Sequence, residues 1–263
     1  MIGAIAGDII GSVYERHNIT ILDFPLFDTW SHFTDDTILT CAVADAILTG
    51  VDYGSKIREW FRLYPERGYG SGFRRWAAAK TIRPRYSIGN GSAMRVSPIG
   101  FAFDTLDKVL DEARKSAIPS HNHPESIKGA QAVAGAISLA RTGHTKQFIK
   151  EYIANTFSYN LDRAIDQIRP TYRHDYTCKG SVPEAIIAFL ESTNYENAIR
   201  LAVSLGGDSD TIACIAGGIA EAYYGGIPNE VSERTIAALD RRLQGIVMRF
   251  SEKYRLKEAF NVK

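Results

Sequence analysis

Two segments of this chain are helical in period and apolar on every face. Ile38–Leu48 is interrupted only by Thr40 and Asp45, and Ile212–Ala220 carries no charged residue. A helix without a polar face has to be surrounded by other elements. The chain must therefore wrap further layers around both. With 263 residues it has the material to do so, since a chain of this size buries roughly 70–75% of its unfolded surface. The rest of the sequence keeps the same period. Met1–Tyr14, Asp35–Leu48, Lys56–Leu63, Gly72–Ala79, Leu106–Ala117, Pro124–Arg141, Thr145–Thr156, Val182–Glu191, Glu196–Leu205, Ser209–Tyr224 and Glu233–Phe250 all read as helices. Only Tyr14–Phe27 has room for a hairpin. The Pro/Gly/Asn/Ser-rich breaks at Pro65–Gly70, Arg83–Gly91, Pro119–Pro124 and Arg173–Ser181 are too short for interdomain linkers. A single compact all-α domain over residues 1–263 is expected.

Punctuation agrees with these helices. Ser181 with Glu184 has the spacing of a capping box, with Pro183 in the first turn. Asn194 is placed to cap the next helix. Gly225-Gly226 followed by Pro228 stops the helix before it.

Charge excludes several roles. Lys plus Arg number 31 and Asp plus Glu 30, so there is no electrostatic drive toward bulk nucleic acid or membrane. No apolar stretch reaches the ~18 residues of a membrane span. The apolar N-terminus is broken by Asp8 and has no basic region before it, unlike a signal peptide. The three cysteines, Cys41, Cys178 and Cys214, form no C-x-x-C pair, and a reduced, cytoplasmic monomer is expected.

The acidic residues carry the chemistry. Thr34-Asp35-Asp36-Thr37 and Asp208-Ser209-Asp210-Thr211 each place two carboxylates and threonine at the start of one of the core helices. Capping and the helix dipole explain one or two polar residues at such a start. They do not explain four carboxylates near buried helix ends, which repel and are costly to desolvate. The dipoles offset only ~0.3–1 kcal/mol each. A hard divalent cation resolves the conflict, and oxygen donors of this kind suit Mg²⁺, Mn²⁺ or Ca²⁺. Near the N-terminus, Gly3, Gly7 and Gly11 fall on one helix face and permit close approach of a neighbour. That crossing accounts for the glycines but not for Asp8 and Glu15, about two turns apart.

Four ordered blocks, Gly3…Gly7-Asp8…Gly11…Glu15, Thr34-Asp35-Asp36-Thr37, Gly89-Asn90-Gly91-Ser92-Ala93-Met94-Arg95 and Gly206-Gly207-Asp208-Ser209-Asp210-Thr211, resemble the ADP-ribosylglycohydrolases over residues 1–226. That family includes the bacterial dinitrogenase-reductase-activating glycohydrolases and the animal ADP-ribosylarginine and ADP-ribosylserine hydrolases. The resemblance implies an orthogonal bundle of helices and two Mg²⁺ or Mn²⁺ ions. Thr34, Asp35 and Asp36 match the ligands of one ion, and Asp208, Asp210 and Thr211 those of the other, with Asp210 as the bridge. Glu15 and Asp36 become the candidate catalytic carboxylates. Gly68, Tyr69 and Gly70 match the segment beside ribose and metals, Ser87, Gly89, Asn90, Gly91 and Ser92 the ADP-ribose loop, and His121 the Ser/Thr-His step near the diphosphate. Tyr86 and Ile88 flank Ser87 where the serine-directed members have glycine and tyrosine.

The activity implied is metal-assisted cleavage of the glycosidic bond at the anomeric ribose carbon of an ADP-ribosylated protein or small molecule. Backbone N–H groups of the glycine-rich loop and a helix N-terminus are expected to hold the diphosphate. A second reading is a retired member that binds ADP-ribose or serves as a structural, crystallin-like protein. Retention of Asp35, Asp36, Asp208, Asp210 and Glu15 weighs against it. His121-x-His123 lacks the further spaced ligands a zinc site needs. His17, His32, His144 and His174 read as surface or loop histidines, Arg95 as a buried structural arginine or loop clamp, and Tyr172, Tyr176 and Phe189 as core or cleft wall.

Overall fold

The computed structural model describes residues 1–81 and 83–256. Residue 82 and residues 257–263, which the single-domain expectation also covers, lie outside the described residues. Among the described residues there is no strand or sheet, and the architecture is all-α as expected. In chain order the helices are α1 (Ile2–Gly11), α2 (Asp35–Thr49), α3 (Tyr53–Leu63), α4 (Ser71–Ala78), α5 (Ser97–Ala102), α6 (Leu106–Ala117) and α7 (Pro124–Arg141). They continue as α8 (Lys146–Phe157), α9 (Ile165–Ile168), α10 (Cys178–Glu191), α11 (Tyr195–Ser204), α12 (Ser209–Tyr224), α13 (Asn229–Ala238) and α14 (Arg241–Lys253). No helix among the described residues is long and apolar enough to cross a membrane.

The apolar helix α12 is the axis of the molecule. Its neighbours are α1, α7, α10 and α11, and Ile212, Ala213, Ala216, Ile219 and Ala220 are all buried. The glycine stripe of α1 makes the closest of these contacts. A Cβ on Gly3 would lie 2.7 Å from the Gly217 carbonyl oxygen, and one on Gly11 would lie 2.6 Å from the Asp210 Cα. On Gly7 it would overlap the Ala213 carbonyl. Removing three side chains from one face of α1 thus lets two backbones touch, and this fixes the end of α1 beside the start of α12.

Several elements differ from the expectation. No hairpin forms over Tyr14–Phe27. Side chains hold its carbonyls in place of a ladder: Asn18 Nδ2 donates to Tyr14 O and Glu15 O, and Arg200 Nη1 donates to Leu22 O and Phe24 O. α1 stops at Gly11 rather than Tyr14. There the Ser12 hydroxyl donates to Ile9 O and accepts from His32 N–H, drawing the chain out of the helix. α10 starts four residues before Val182, with Thr177 as its N-cap. Ser181 donates to Thr177 O and Glu184 pairs with Arg163, so neither forms the expected capping box. The expected helix Glu233–Phe250 is two helices, because Asp240 accepts from Arg242 N–H and Leu243 N–H and starts α14 anew. Asn194 caps α11, and Gly225 ends α12 in the left-handed region.

Candidate active site

The acidic starts of α2 and α12 meet. The Thr211 hydroxyl donates to Asp36 Oδ2 at 3.0 Å, across 175 residues of sequence. Carboxylate oxygens of Asp8, Asp36 and Asp210 lie within 4.8 Å of one another. The N-termini of two helices of 15 and 16 residues therefore meet at one carboxylate cluster, and their partial positive charge favours anions there.

Asp8 has a different task from the others. Its carboxylate accepts from Thr34 N–H (3.0 Å), Thr34 Oγ1 (2.7 Å), Thr37 N–H (3.0 Å) and Thr37 Oγ1 (2.5 Å). Three of these bonds converge on Oδ2 and one reaches Oδ1, so Oδ2 is saturated and Oδ1 keeps one of a carboxylate's roughly four lone-pair directions. Asp8 is fully buried and serves as an anion that α1 inserts under the first turn of α2. It holds Thr34, Asp35 and Asp36 in place. Thr34 is the N-cap of α2, accepting from Asp36 N–H at 3.2 Å, which leaves its hydroxyl one lone pair.

The remaining carboxylates face the open side. Asp36, Asp208 and Asp210 are buried and Asp35 is half-buried. Burial, with the charges of Asp8, Asp208 and Glu15, pushes Asp35 well above the usual carboxylate range. Burial, with Asp8, Asp35 and Asp208, does the same to Asp36, and burial, with Asp208, Asp36, Glu15 and Asp8, to Asp210. Burial also raises Asp208, opposed by a 2.6 Å hydrogen bond from Asn90 Nδ2. Among the described residues no lysine or arginine pairs with any of these four groups. Four acids held together without a lysine or arginine among them are a set of hard oxygen donors that could hold a divalent cation.

A cleft of about 1520 Å³ opens above them. Glu15, Thr34, Asp35, Asp36, Asp208, Asp210 and Thr211 form its acidic end, and Gly68, Gly70, Ser87, Gly89, Asn90, Gly91 and His121 also line it. Gly68 is in the left-handed region (φ 96°), and a Cβ there would lie 2.8 Å from Asp35 Oδ1. Only a glycine lets that loop rest on the carboxylate.

Two expected contacts sit elsewhere. Tyr69 is buried in the aromatic core, stacked on Phe73 with ring centroids 5.3 Å apart, and does not line the cleft. Ser92 is buried beneath the loop, donating to Ser126 O at 2.8 Å. Both are apart from the cleft because the loop that carries each needs an anchor in the core. Asn90 faces inward too. Its amide donates to Ser181 Oγ and Asp208 Oδ2, and its backbone N–H to Tyr176 O. It positions a carboxylate, and its N–H is not available to a phosphate.

His121 is set by a relay. Arg95 Nη2 donates to Ser120 Oγ at 2.9 Å, so the serine proton goes to His121 Nδ1 at 2.8 Å. The remaining ring hydrogen is then on Nε2, beside Gly89 and Gly91, where a Cβ on Gly91 would sit 3.0 Å from that nitrogen. Burial and the charges of Arg95 and Arg85 hold the imidazole well below its usual range. His121 is thus a neutral donor into the cleft. Its neighbour His123 caps α7, accepting from Glu125 N–H, so the two rings do not form a chelate.

Three participants left no trace in the sequence pattern. Asn18 bonds Gly207 in both directions, at 2.9 and 3.2 Å, and also holds Glu15 O. It ties the segment carrying Glu15 to the turn carrying Asp208. His174 is exposed, as expected of a loop histidine, yet its ring nitrogen lies within 4.8 Å of Glu15 and Asp208 carboxylate oxygens. Arg85 lies over Gly72 on the cleft wall.

The sequence matches the ADP-ribosylglycohydrolase family over residues 1–259. The chain belongs to the ADP-ribosylglycohydrolase family. Among its relatives, the ADP-ribosylhydrolase ARH3 of Homo sapiens is 27% identical over 303 residues, covering 85% of this chain and 84% of that protein. The ADP-ribosylhydrolase ARH3 of Danio rerio is 26% identical over 301 residues, covering 86% and 81%. A solved structure, an ADP-ribosylglycohydrolase-related protein complex, superposes with a TM-score of 0.70 at 22% identity, covering 98% of this chain and 97% of that one. That likeness shows that this family member shares the fold.

Proposed function

We propose that this ADP-ribosylglycohydrolase is a metal-dependent hydrolase that removes ADP-ribose from a modified acceptor by cleaving the glycosidic bond at the anomeric ribose carbon. The observation that carries the reading is the convergence of Asp36 and Asp210, linked through Thr211, at the floor of a cleft lined on its other wall by His121 and Arg85. The donor set fits two hard divalent cations, Mg²⁺ or Mn²⁺. Thr34, Asp35 and Asp36 would hold one and Asp208, Asp210 and Thr211 the other. Bound there, such ions supply counter-charge and Lewis-acid activation of water.

The chain's own groups do the rest. The cleft exceeds the ~300–1,000 Å³ of ordinary small-molecule pockets, leaving room for a dinucleotide-sized ligand and part of its acceptor. Arg85 and His121 Nε2–H offer donors to the diphosphate, with the free N–H groups at the start of α4. The ribose then falls at the acidic end, where carboxylates favour the positive charge that an oxocarbenium-like transition state develops. Glu15, half-buried at the rim, is placed to take a proton from water as it attacks. Cys41, Cys178 and Cys214 are free and buried, which fits a protein working in the reducing cytoplasm.

The test is a panel of arginine-, serine- and nucleobase-linked ADP-ribose, assayed by chromatography with Mg²⁺ or Mn²⁺. Release of ADP-ribose from at least one substrate is expected. Tight binding of ADP-ribose with no release from any would establish the retired, binding-only alternative instead.

A further inference from the structure

We propose that the metal centre takes a nitrogen ligand from His174, beside Asp208, and that this imidazole biases the centre toward Mn²⁺ over Mg²⁺. The inference rests on the metal-dependent reading given above. The six ligand positions legible in the sequence are all oxygen donors. His174 adds a donor of another kind, from a third region of the chain.

The geometry holds this histidine beside Asp208. Its ring nitrogen and the carboxylate oxygens of Glu15 and Asp208 lie mutually within 4.8 Å. The loop that carries it is fastened on several sides. Tyr172 Oη donates to Gly180 O at 3.0 Å, and Asn90 N–H donates to Tyr176 O at 2.8 Å. The His174 ring rests on Tyr176 with centroids 4.2 Å apart. The same loop lies directly on the turn before α12. A Cβ on Gly207 would come within 2.6 Å of the Tyr172 ring and 3.5 Å of the His174 Cα. Gly207 is in the left-handed region (φ 68°), so the residue that shapes the Asp208 turn also makes room for the Tyr172 ring, two residues before His174. Asn18 brings the third member, donating to both Glu15 O and Gly207 O.

The chemistry separates the roles of the trio. A carboxylate committed as a ligand is a poor proton acceptor. With His174 filling a coordination position next to Asp208, Glu15 remains available to accept a proton. Mg²⁺ favours an all-oxygen octahedron and dehydrates reluctantly, so of the two cations it gains less from an imidazole nitrogen. A single nitrogen therefore shifts the balance between two cations that an all-oxygen site separates poorly.

The experiment uses the full chain, stripped with chelator and reloaded with MnCl₂ or MgCl₂. Calorimetry gives both affinities, and pulsed electron paramagnetic resonance of the Mn²⁺ form reports a coordinated nitrogen-14. Wild type should show nitrogen modulation, and His174→Ala and His174→Gln should lose it. Mn²⁺ should bind about tenfold more weakly to both variants, and Mg²⁺ should change by no more than about twofold. The side chain is exposed, and thermal unfolding verifies that the variants fold. Absence of nitrogen modulation in Mn²⁺-loaded wild type, or equal weakening of both cations, overturns the assignment. Those outcomes leave the metal-dependent reading intact provided Asp210→Ala abolishes binding of both ions. If wild type binds neither ion, the metal-dependent reading fails and this inference fails with it.

Discussion

Gly7 of α1 lies against the carbonyl of Ala213 in α12, so close that a methyl group on Gly7 would come within 2.5 Å of the Ala213 carbonyl carbon. This contact decides where the end of α1 sits, and with it Asp8, the next residue. Gly7→Ala gains roughly 1 kcal/mol of helix propensity. The overlap with rigid backbone outweighs this, since overpacking costs about 1–3 kcal/mol or more. A net loss near 2 kcal/mol, or roughly 4–8 °C in Tm, is expected in thermal unfolding. An unchanged Tm would mean that the two helices can separate freely.

Asp8→Asn keeps the shape of the side chain but replaces one acceptor oxygen with a donor. Four donors from Thr34 and Thr37 then face an amide that can accept only some of them. A stability loss of about 2 kcal/mol is expected, together with a metal affinity at least tenfold weaker, a typical loss for a group supporting ligands. Calorimetric titration with Mn²⁺ checks it; wild-type affinity would show that Asp8 does not set the ligands.

Asp36 is held above its ordinary range by burial and by Asp8, Asp35 and Asp208. In metal-free protein the folded state therefore binds more protons than the unfolded state above the unfolded carboxylate range. Stability must then fall as pH rises toward neutrality. Divalent cations reverse this by binding the ionised form. At a hundred times Kd they add about 2.7 kcal/mol, roughly 5–10 °C here. Asp36→Asn should unfold at a higher temperature than metal-free wild type at pH 7, and should lose the rise on adding Mn²⁺. A variant still stabilised by Mn²⁺ to the wild-type extent would remove Asp36 from the metal centre.

Glu15→Gln should leave metal and ADP-ribose binding within about threefold while lowering turnover by roughly 10²–10⁴, the usual worth of a general base. Steady-state kinetics beside calorimetry separate the two. Full turnover in this variant would take Glu15 out of proton transfer.

His121 is held below its ordinary range by burial, Arg95 and Arg85. Below an unfolded value near 6.5, the unfolded chain takes a proton that the folded chain refuses. Stability thus falls as pH drops below about 6.5, by up to about 1.4 kcal/mol per pH unit for one proton. Above that range the group contributes no slope. Denaturant unfolding of His121→Gln from pH 7.5 to 5 should show a shallower acid loss than wild type. Parallel curves would place the protonation elsewhere.

Local pattern alone determined the helical class, the two core helices with acidic starts and the glycine face of α1. Each is a matter of neighbours within a few turns, where period, propensity and capping act directly. Hence Asn194 and Gly225 punctuate α11 and α12 where expected. Breaks that depend on a side chain's competing bonds, such as Asp240 dividing α13 from α14, were invisible to periodicity. The meeting of Asp36 with Thr211 across 175 residues, the four hydrogen bonds by which Asp8 fixes α2, the inward turn of Asn90 and the placing of His174 beside Glu15 were decided only by tertiary structure. These are relations between distant segments, fixed by which backbones can touch. No local sequence pattern carries that information, because each relation joins segments far apart in the chain, as where Gly207 gives way to the Tyr172 ring.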